Sequence, residues 1–132
     1  MSVLPETMLV AVFRLIYLSR VSRPTRLADV EAIVSAAAPR NAADGITGML
    51  VYTPSHFLQY LEGEEPAVRS TFERILNDLR HTEVRVLGEA TVAARRFEKW
   101  AMVARQLPSA TTQELTELDT ERALALFDRV SA

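Results

Sequence analysis

Two side chains have the types and placing for a switchable hydrogen bond. Tyr17 sits in the run Leu15-Ile16-Tyr17-Leu18-Ser19, and Gln59 sits in Phe57-Leu58-Gln59-Tyr60-Leu61. Both runs read as β-strands, in which alternate residues face the same way. Tyr17 then shares a face with Phe13 and Leu15, and Gln59 lies between Phe57 and Leu61 on its own strand. A carboxamide among apolar neighbours must find hydrogen-bond partners. Its planar group carries a donor end and an acceptor end, so rotation or tautomerisation changes which groups it donates to. By periodicity alone, an ordinary core glutamine bonded to a tyrosine hydroxyl explains the same two residues.

Other chemistries find little support. The sequence has no cysteine, which excludes disulfides, thiolate catalysis and cysteine-based metal sites. Its two histidines, His56 and His81, lie on different elements with no ligand spacing around them. Gly45-Ile46-Thr47-Gly48 is neither a dinucleotide nor a P-loop fingerprint. Serine, histidine and aspartate occur without the context of a triad. The net charge is −2 with no long Lys/Arg run, so nucleic-acid binding has no electrostatic footprint. No apolar stretch reaches membrane-spanning length, and Met1–Glu6 does not read as a signal peptide, so a soluble cytoplasmic protein is expected.

The elements that would hold Tyr17 and Gln59 can be traced along the chain. With 132 residues, 48% of them hydrophobic and 24% charged, the composition fits one domain with an ordinary core. Val10 to Ser19 is the first expected strand. Leu27, Val30, Val34 and Ala37 recur at helical spacing, with Thr25 as the expected N-cap and Pro39 as the stop. Ile46 to Thr53 and His56 to Leu61 form an expected hairpin about Pro54-Ser55. Pro66 opens a second helix, with Glu64 and Glu65 at the positive end of its dipole and Val68, Phe72, Ile75 and Leu79 as its apolar stripe. Val84 to Thr91 is a fourth strand, placing Val84, Val86, Gly88 and Ala90 on one face, and Lys99 to Arg105 is a short fifth. Thr111 or Thr112 would cap a tail helix holding Leu115 and Leu118, and Thr120 another holding Leu124 and Phe127. The fold expected is α+β: a ferredoxin-like βαββαβ sheet with an extra fifth strand, two helices on one face and C-terminal helices packed on the other or on a partner.

Four segments together carry a family pattern. They are Leu15-Ile16-Tyr17-Leu18-Ser19, the stretch from Asn41 to Leu50, Phe57 to Gly63, and Arg96-Phe97-Glu98-Lys99-Trp100-Ala101-Met102. In order and spacing, over about residues 9 to 106, the chain resembles the BLUF family, the blue-light sensors using flavin. The resemblance implies a flavin, FAD with FMN as an alternative, held between the two helices on one face of the sheet. It implies that Tyr17 is the photochemical electron and proton donor, and that Gln59 is the switch amide between that tyrosine and the flavin. Asn41 matches the helix-end residue that hydrogen-bonds the ring edge, and Trp100 and Met102 match the strand-five pair that reports the signal. Arg74 and Asp78 match contacts to the ribityl or phosphate part, His81 a position near the flavin, and Arg40 a position near the cofactor. The structural alternatives are a solvated i,i+4 pair for Arg74 and Asp78, an exposed loop residue for His81, a solvated Arg40, and core packing for Trp100 and Met102.

The sequence departs from the family pattern at three places. Pro54-Ser55 stands where a glycine is common, Leu79 where a proline is common, and Ala37 where several members have a serine near the switch. The last removes a hydrogen-bond partner from Gln59 and bears on signal lifetime. By the same resemblance residues 1–106 are the photosensory domain and 107–132 a C-terminal helical extension. Excitation would drive electron and proton transfer from Tyr17, rearrange the Tyr–Gln–flavin hydrogen bonds, and pass a red-shifted signalling state through strand five and the tail helices. The expected protein is a sensor and not an enzyme, a homo-oligomer acting on a separate protein effector, with no nucleic-acid or membrane partner. A flavin-dependent redox protein and a cofactor-free ferredoxin-like interaction module are the alternatives.

Overall fold

The computed structural model describes residues 11–107 and 112–131. Five strands make one sheet: β1 (Val12–Val21), β2 (Thr47–Tyr52), β3 (His56–Gly63), β4 (His81–Val92) and β5 (Val103–Gln106), in the spatial order β4-β1-β3-β2-β5. The four antiparallel strands β4-β1-β3-β2 give the ferredoxin-like arrangement, and β5 adds to β2 in parallel. Helices α1 (Leu27–Ala43) and α2 (Glu65–Leu76) are the crossovers from β1 to β2 and from β3 to β4. Two further helices, α3 (Thr112–Thr116) and α4 (Thr120–Ser131), follow β5.

The central strands β1 and β3 are buried on both faces, which divides the core in two. On the α1/α2 side, Phe13, Leu15, Tyr17, Leu50, Phe57 and Leu61 pack with Val30, Val68 and Met102. On the other side Ile16, Leu18, Met49, Val51, Leu58 and Tyr60 pack with Leu115 and Leu118 around α3, and with Ala123, Leu126 and Phe127 of α4. The C-terminal helices therefore cover the sheet face that α1 and α2 leave bare, as the layer rule requires.

Several local expectations are corrected. Helix α1 runs through Pro39 and ends at Asp44. Ser35, whose carbonyl loses its donor to that proline, is exposed and Pro39 with it, so water can take the bond. The true stop is Gly45, in the left-handed region at φ 69°. Its N–H donates to the Ala42 carbonyl (3.3 Å) and the Ile46 N–H to that of Asn41 (2.8 Å), the paired closure of a Schellman motif. At the other end Arg26, not Thr25, is the N-cap, with its N–H donating to the Asp29 carboxylate at 3.0 Å. Leu79 lies beyond the end of α2 and is 90% exposed, so it is no part of the apolar stripe.

Strand β4 begins at His81, three residues earlier than its β-branched run indicates, and two register shifts against β1 interrupt it. One falls where Glu83 takes a φ of 50°. The other lets Leu87 and Gly88 both turn toward α4, while Val84 packs on the α1/α2 side, so Val84 and Gly88 do not share a face. Strand β5 is also shorter than expected, because residues 99–102 lie outside any strand. Thr120 is the first residue of α4, and its hydroxyl donates to the Leu87 carbonyl at 2.7 Å; Asp119 accepts the Arg122 N–H at 2.8 Å and does the capping. Val10, Thr111 and the Thr112 side chain lie outside the described residues.

Candidate functional site

A cleft with an inner volume of about 130 Å³, open to solvent at its mouth, lies between α1 and α2 above the sheet. Tyr17, Leu50, Phe57 and Gln59 come from the sheet, and small residues of the two helices, Ala36, Ala37 and Thr71, leave the space open. Seven of the nine residues singled out from the sequence line it: Tyr17, Arg40, Asn41, Gln59, Arg74, Asp78 and His81.

Register places the two central groups side by side. Tyr17 on β1 and Gln59 on β3 are directly paired, and Leu50 on β2 is the opposite neighbour of Gln59. The Tyr17 hydroxyl donates to Gln59 Oε1. Gln59 Nε2 points at Met102 Sδ, 3.6 Å away. A thioether is a weak acceptor, so the amide retains donor capacity at the cleft wall. With Ala37 in the wall, no helix hydroxyl at that position competes for it. Burial pushes the Tyr17 phenol far above its ordinary range, and the negative charge of Asp78 pushes in the same direction. Its ring is held by Phe72 at 5.6 Å and His81 at 5.9 Å between centroids.

The remaining lining residues are fixed from several elements. Asn41 lies in the last turn of α1, where the Schellman closure fixes its carbonyl, and its Nδ2 donates to the Ala101 carbonyl at 2.9 Å. Asp78 is paired with Arg80, not with Arg74 as an i,i+4 pair. The Arg80 guanidinium holds the Asp78 carboxyl below the usual carboxylate range, against a smaller opposing effect of burial. Arg74 lies 3.4 Å from Thr71 Oγ1 and 3.9 Å from Asp44. Arg40 is exposed at the rim. His81 is buried, not an exposed loop residue: Nε2 donates to the Ile75 carbonyl at 2.7 Å, which leaves Nδ1 to pair with Ser19 Oγ at 2.8 Å.

Trp100 and Met102 part company. Met102 is buried on the cleft side of the sheet beside Gln59. Trp100 packs on the opposite side, stacked on Phe97 at 5.8 Å with the Arg105 guanidinium 5.5 Å from its ring centre. Sequence reasoning missed Arg80, Phe57 and Thr71 as lining residues. The acidic–basic spacing of Asp78 and Arg80 was the available signal for the first.

The donor set fits a flat heteroaromatic group with a charged tail. The walls are apolar, an amide and a phenol meet at the floor, Asn41, Asp78 and Arg80 bring further donors and acceptors, and Arg40 and Arg74 bring positive charge. Among the described residues no cluster of three His, Asp or Glu could hold a metal ion, and no helix is long and apolar enough to cross a membrane.

Comparison with known proteins agrees. Residues 12–103 match the family model described as sensors of blue-light using FAD. Photoactivated adenylate cyclase subunit beta of Euglena gracilis is 36% identical over 91 residues, covering 68% of this chain and 11% of that protein. The blue light- and temperature-regulated antirepressor BluF of Escherichia coli K12 is 38% identical over 88 residues, covering 67% of this chain and 22% of that protein. The chain thus spans well under two thirds of these relatives. Among solved structures, the dark state of the BLUF protein BlrB superposes with a TM-score of 0.77 at 30% identity, over 92% of this chain and 96% of that one. The ground state of BlsA gives a TM-score of 0.78 at 25% identity, over 90% and 87%. With most of its length matched by the family model and a cleft that fits the cofactor, this chain belongs to the BLUF family of blue-light sensors using FAD.

Proposed function

We propose that this blue-light sensor works by proton and hydrogen-bond exchange between Tyr17 and Gln59. The observation that carries the reading is the buried phenol donating to an amide oxygen at the floor of the cleft, while the amide's other end rests on a weak acceptor. When bound, flavin supplies a blue-absorbing ring that becomes a strong electron acceptor on excitation. Tyr17 is the electron donor, and its phenolic proton is already directed at Gln59 Oε1. Gln59 then changes which end it presents to the ring and to Met102, by rotation or tautomerism. A new donor toward the ring lowers the transition energy, which appears as a red shift.

Asn41, Asp78, Arg80 and His81 hold and wall the ring, and Arg40 and Arg74 at the rim suit a phosphate tail. Both FAD and FMN present such a phosphate; FAD is the proposed cofactor. Moving one or two buried hydrogen bonds is worth about 1–3 kcal/mol, enough to shift a two-state element roughly ten- to a hundredfold but not to unfold a domain. Met102, β5 and the C-terminal helices are that element, with residues 1–106 the sensory unit and 107–132 the extension that carries the signal. Trp100 contributes from the far side of the sheet. The chain acts as a sensor without catalysis of its own, as a homo-oligomer and on a separate protein effector in the cytoplasm. Relatives whose names couple light to an adenylate cyclase or an antirepressor support that class of output.

The test is an absorption spectrum of the purified protein before and after blue light. A yellow protein with a reversible red shift and no steady flavin reduction is expected, and Tyr17→Phe and Gln59→Leu should each keep flavin and lose the shift. Bleaching that persists only with reductant would favour redox chemistry. A colourless protein that takes up no flavin would favour a plain interaction module. Normal photocycles in both variants would refute the site.

A further inference from the structure

We propose that Glu62 is a positioning residue for the light response: it sets the loop that carries Trp100 and Met102, from the sheet face opposite the cleft. The inference rests on the photoreceptor reading above. Glu62 is a fully buried carboxylate on β3, three residues from Gln59 and therefore on the other face of the same strand. Its Oε1 accepts the Arg96 N–H and its Oε2 the Phe97 N–H, each at 2.7 Å, and Oε2 also accepts the Thr47 hydroxyl at 2.7 Å. Three donors on one buried carboxylate make a strong, geometrically defined anchor.

Backbone pairing already joins Glu62 to Thr47 and Arg14 within the sheet, apart from this side-chain anchor. What it fixes is the entry to the segment between β4 and β5. Phe97, held by its own N–H, stacks on Trp100 and meets Phe127 of α4 at 6.0 Å. Arg96 pairs with Asp128 of the same helix. At its exit the segment is tied on the cleft side, by Asn41 to the Ala101 carbonyl and by Gln59 to Met102. A movement of Met102 thus meets a segment clamped at its far end. Displacement goes into Trp100 and the α4 contact instead of dissipating in a loose loop.

The experiment uses the full chain with FAD bound. Glu62→Gln keeps the size but presents an amide N–H to one of the two backbone donors. The variant should bind FAD and show a red shift of the parent's size, because Tyr17 and Gln59 are untouched. Its dark recovery should be about tenfold faster, the order expected when a charge-assisted hydrogen bond is lost. The light-induced change in the emission of Trp100, the sole tryptophan, should disappear. Glu62→Asp, which keeps both acceptor oxygens, should restore that change. Recovery and emission change equal to the parent's would overturn the proposal, as would loss of the red shift itself in Glu62→Gln, which would put Glu62 in the primary switch. If Glu62→Gln does not fold, Thr47→Val removes one of the three donors to Glu62, together with the Arg95 bond to that hydroxyl, with recovery about threefold faster supporting the proposal and unchanged recovery overturning it. A parent protein with no red shift at all would overturn the photoreceptor reading, and this inference with it.

Discussion

The hydrogen bond between Tyr17 and Gln59 should be measurable as a coupling free energy. Tyr17 is 2% exposed and Gln59 7%, so both polar groups are largely shielded from water. Tyr17→Phe keeps the ring contacts to Phe72 and His81 but leaves Gln59 Oε1 without its donor. Gln59→Leu leaves the phenol without its acceptor. Each single change orphans a buried polar group and should cost about 1–3 kcal/mol. In Tyr17→Phe/Gln59→Leu no orphan remains, so the double variant should cost little more than one single, with a coupling of about 1–2 kcal/mol. Urea unfolding of all four proteins reads this, provided the denaturant slope is constant and the flavin concentration is fixed, because bound ligand adds its own stability. Single costs that add to within about 0.5 kcal/mol would refute the pairing on which the proposed switch depends.

Two further outcomes follow from the other face. Phe127 is fully buried against Tyr60 and Phe97, so Phe127→Ala should destabilise the protein by about 3–5 kcal/mol in urea while any folded fraction still binds flavin; a cost below about 1 kcal/mol would mean that α4 is not docked on the sheet. His56 is buried, and its Nε2 has no partner among the described residues. Burial, then the charge of Arg20, lowers its pKa, with Glu83 opposing. The unfolded chain therefore takes up this proton first, so the stability His56 contributes is present above about pH 6.5 and is lost as pH falls below it. Melting temperatures at about pH 7.5 and pH 5.5 should differ less in His56→Gln than in the parent, and equal differences would exonerate this histidine.

Much of this was legible in the residues. Alternation set the faces of β1 and β3, because strand periodicity is local and strict; that Tyr17 and Gln59 meet at one site was implied by the family resemblance, since register between strands is not local. What failed depended on tertiary context. Pro39 reads as a stop, yet a solvent-facing carbonyl lets the helix continue to Gly45. Val84 and Gly88 fall on different faces because a bulge, invisible in an alternating pattern, inserts a residue between them. Trp100 and Met102 have strand spacing, but they precede β5 in an irregular segment, and loop geometry sends them to opposite faces. Arg80 was missed although its spacing from Asp78 was visible, because where the chain leaves α2 decides whether that pair faces the cleft.

The four residues of β5 join the sheet only through β2, in the parallel sense, at the border farthest from β4. Parallel pairing is slightly weaker per residue, and a short outermost strand has neighbours on one side alone. This corner is where the sheet can open at least cost, leaving β1 and β3 intact. A light-driven rearrangement that peels β5 would leave the β1–β3 register under the cleft in place and reach its walls through the Asn41–Ala101 and Gln59–Met102 bonds at the strand's entry, so the outline of this corner can change while the floor stays fixed.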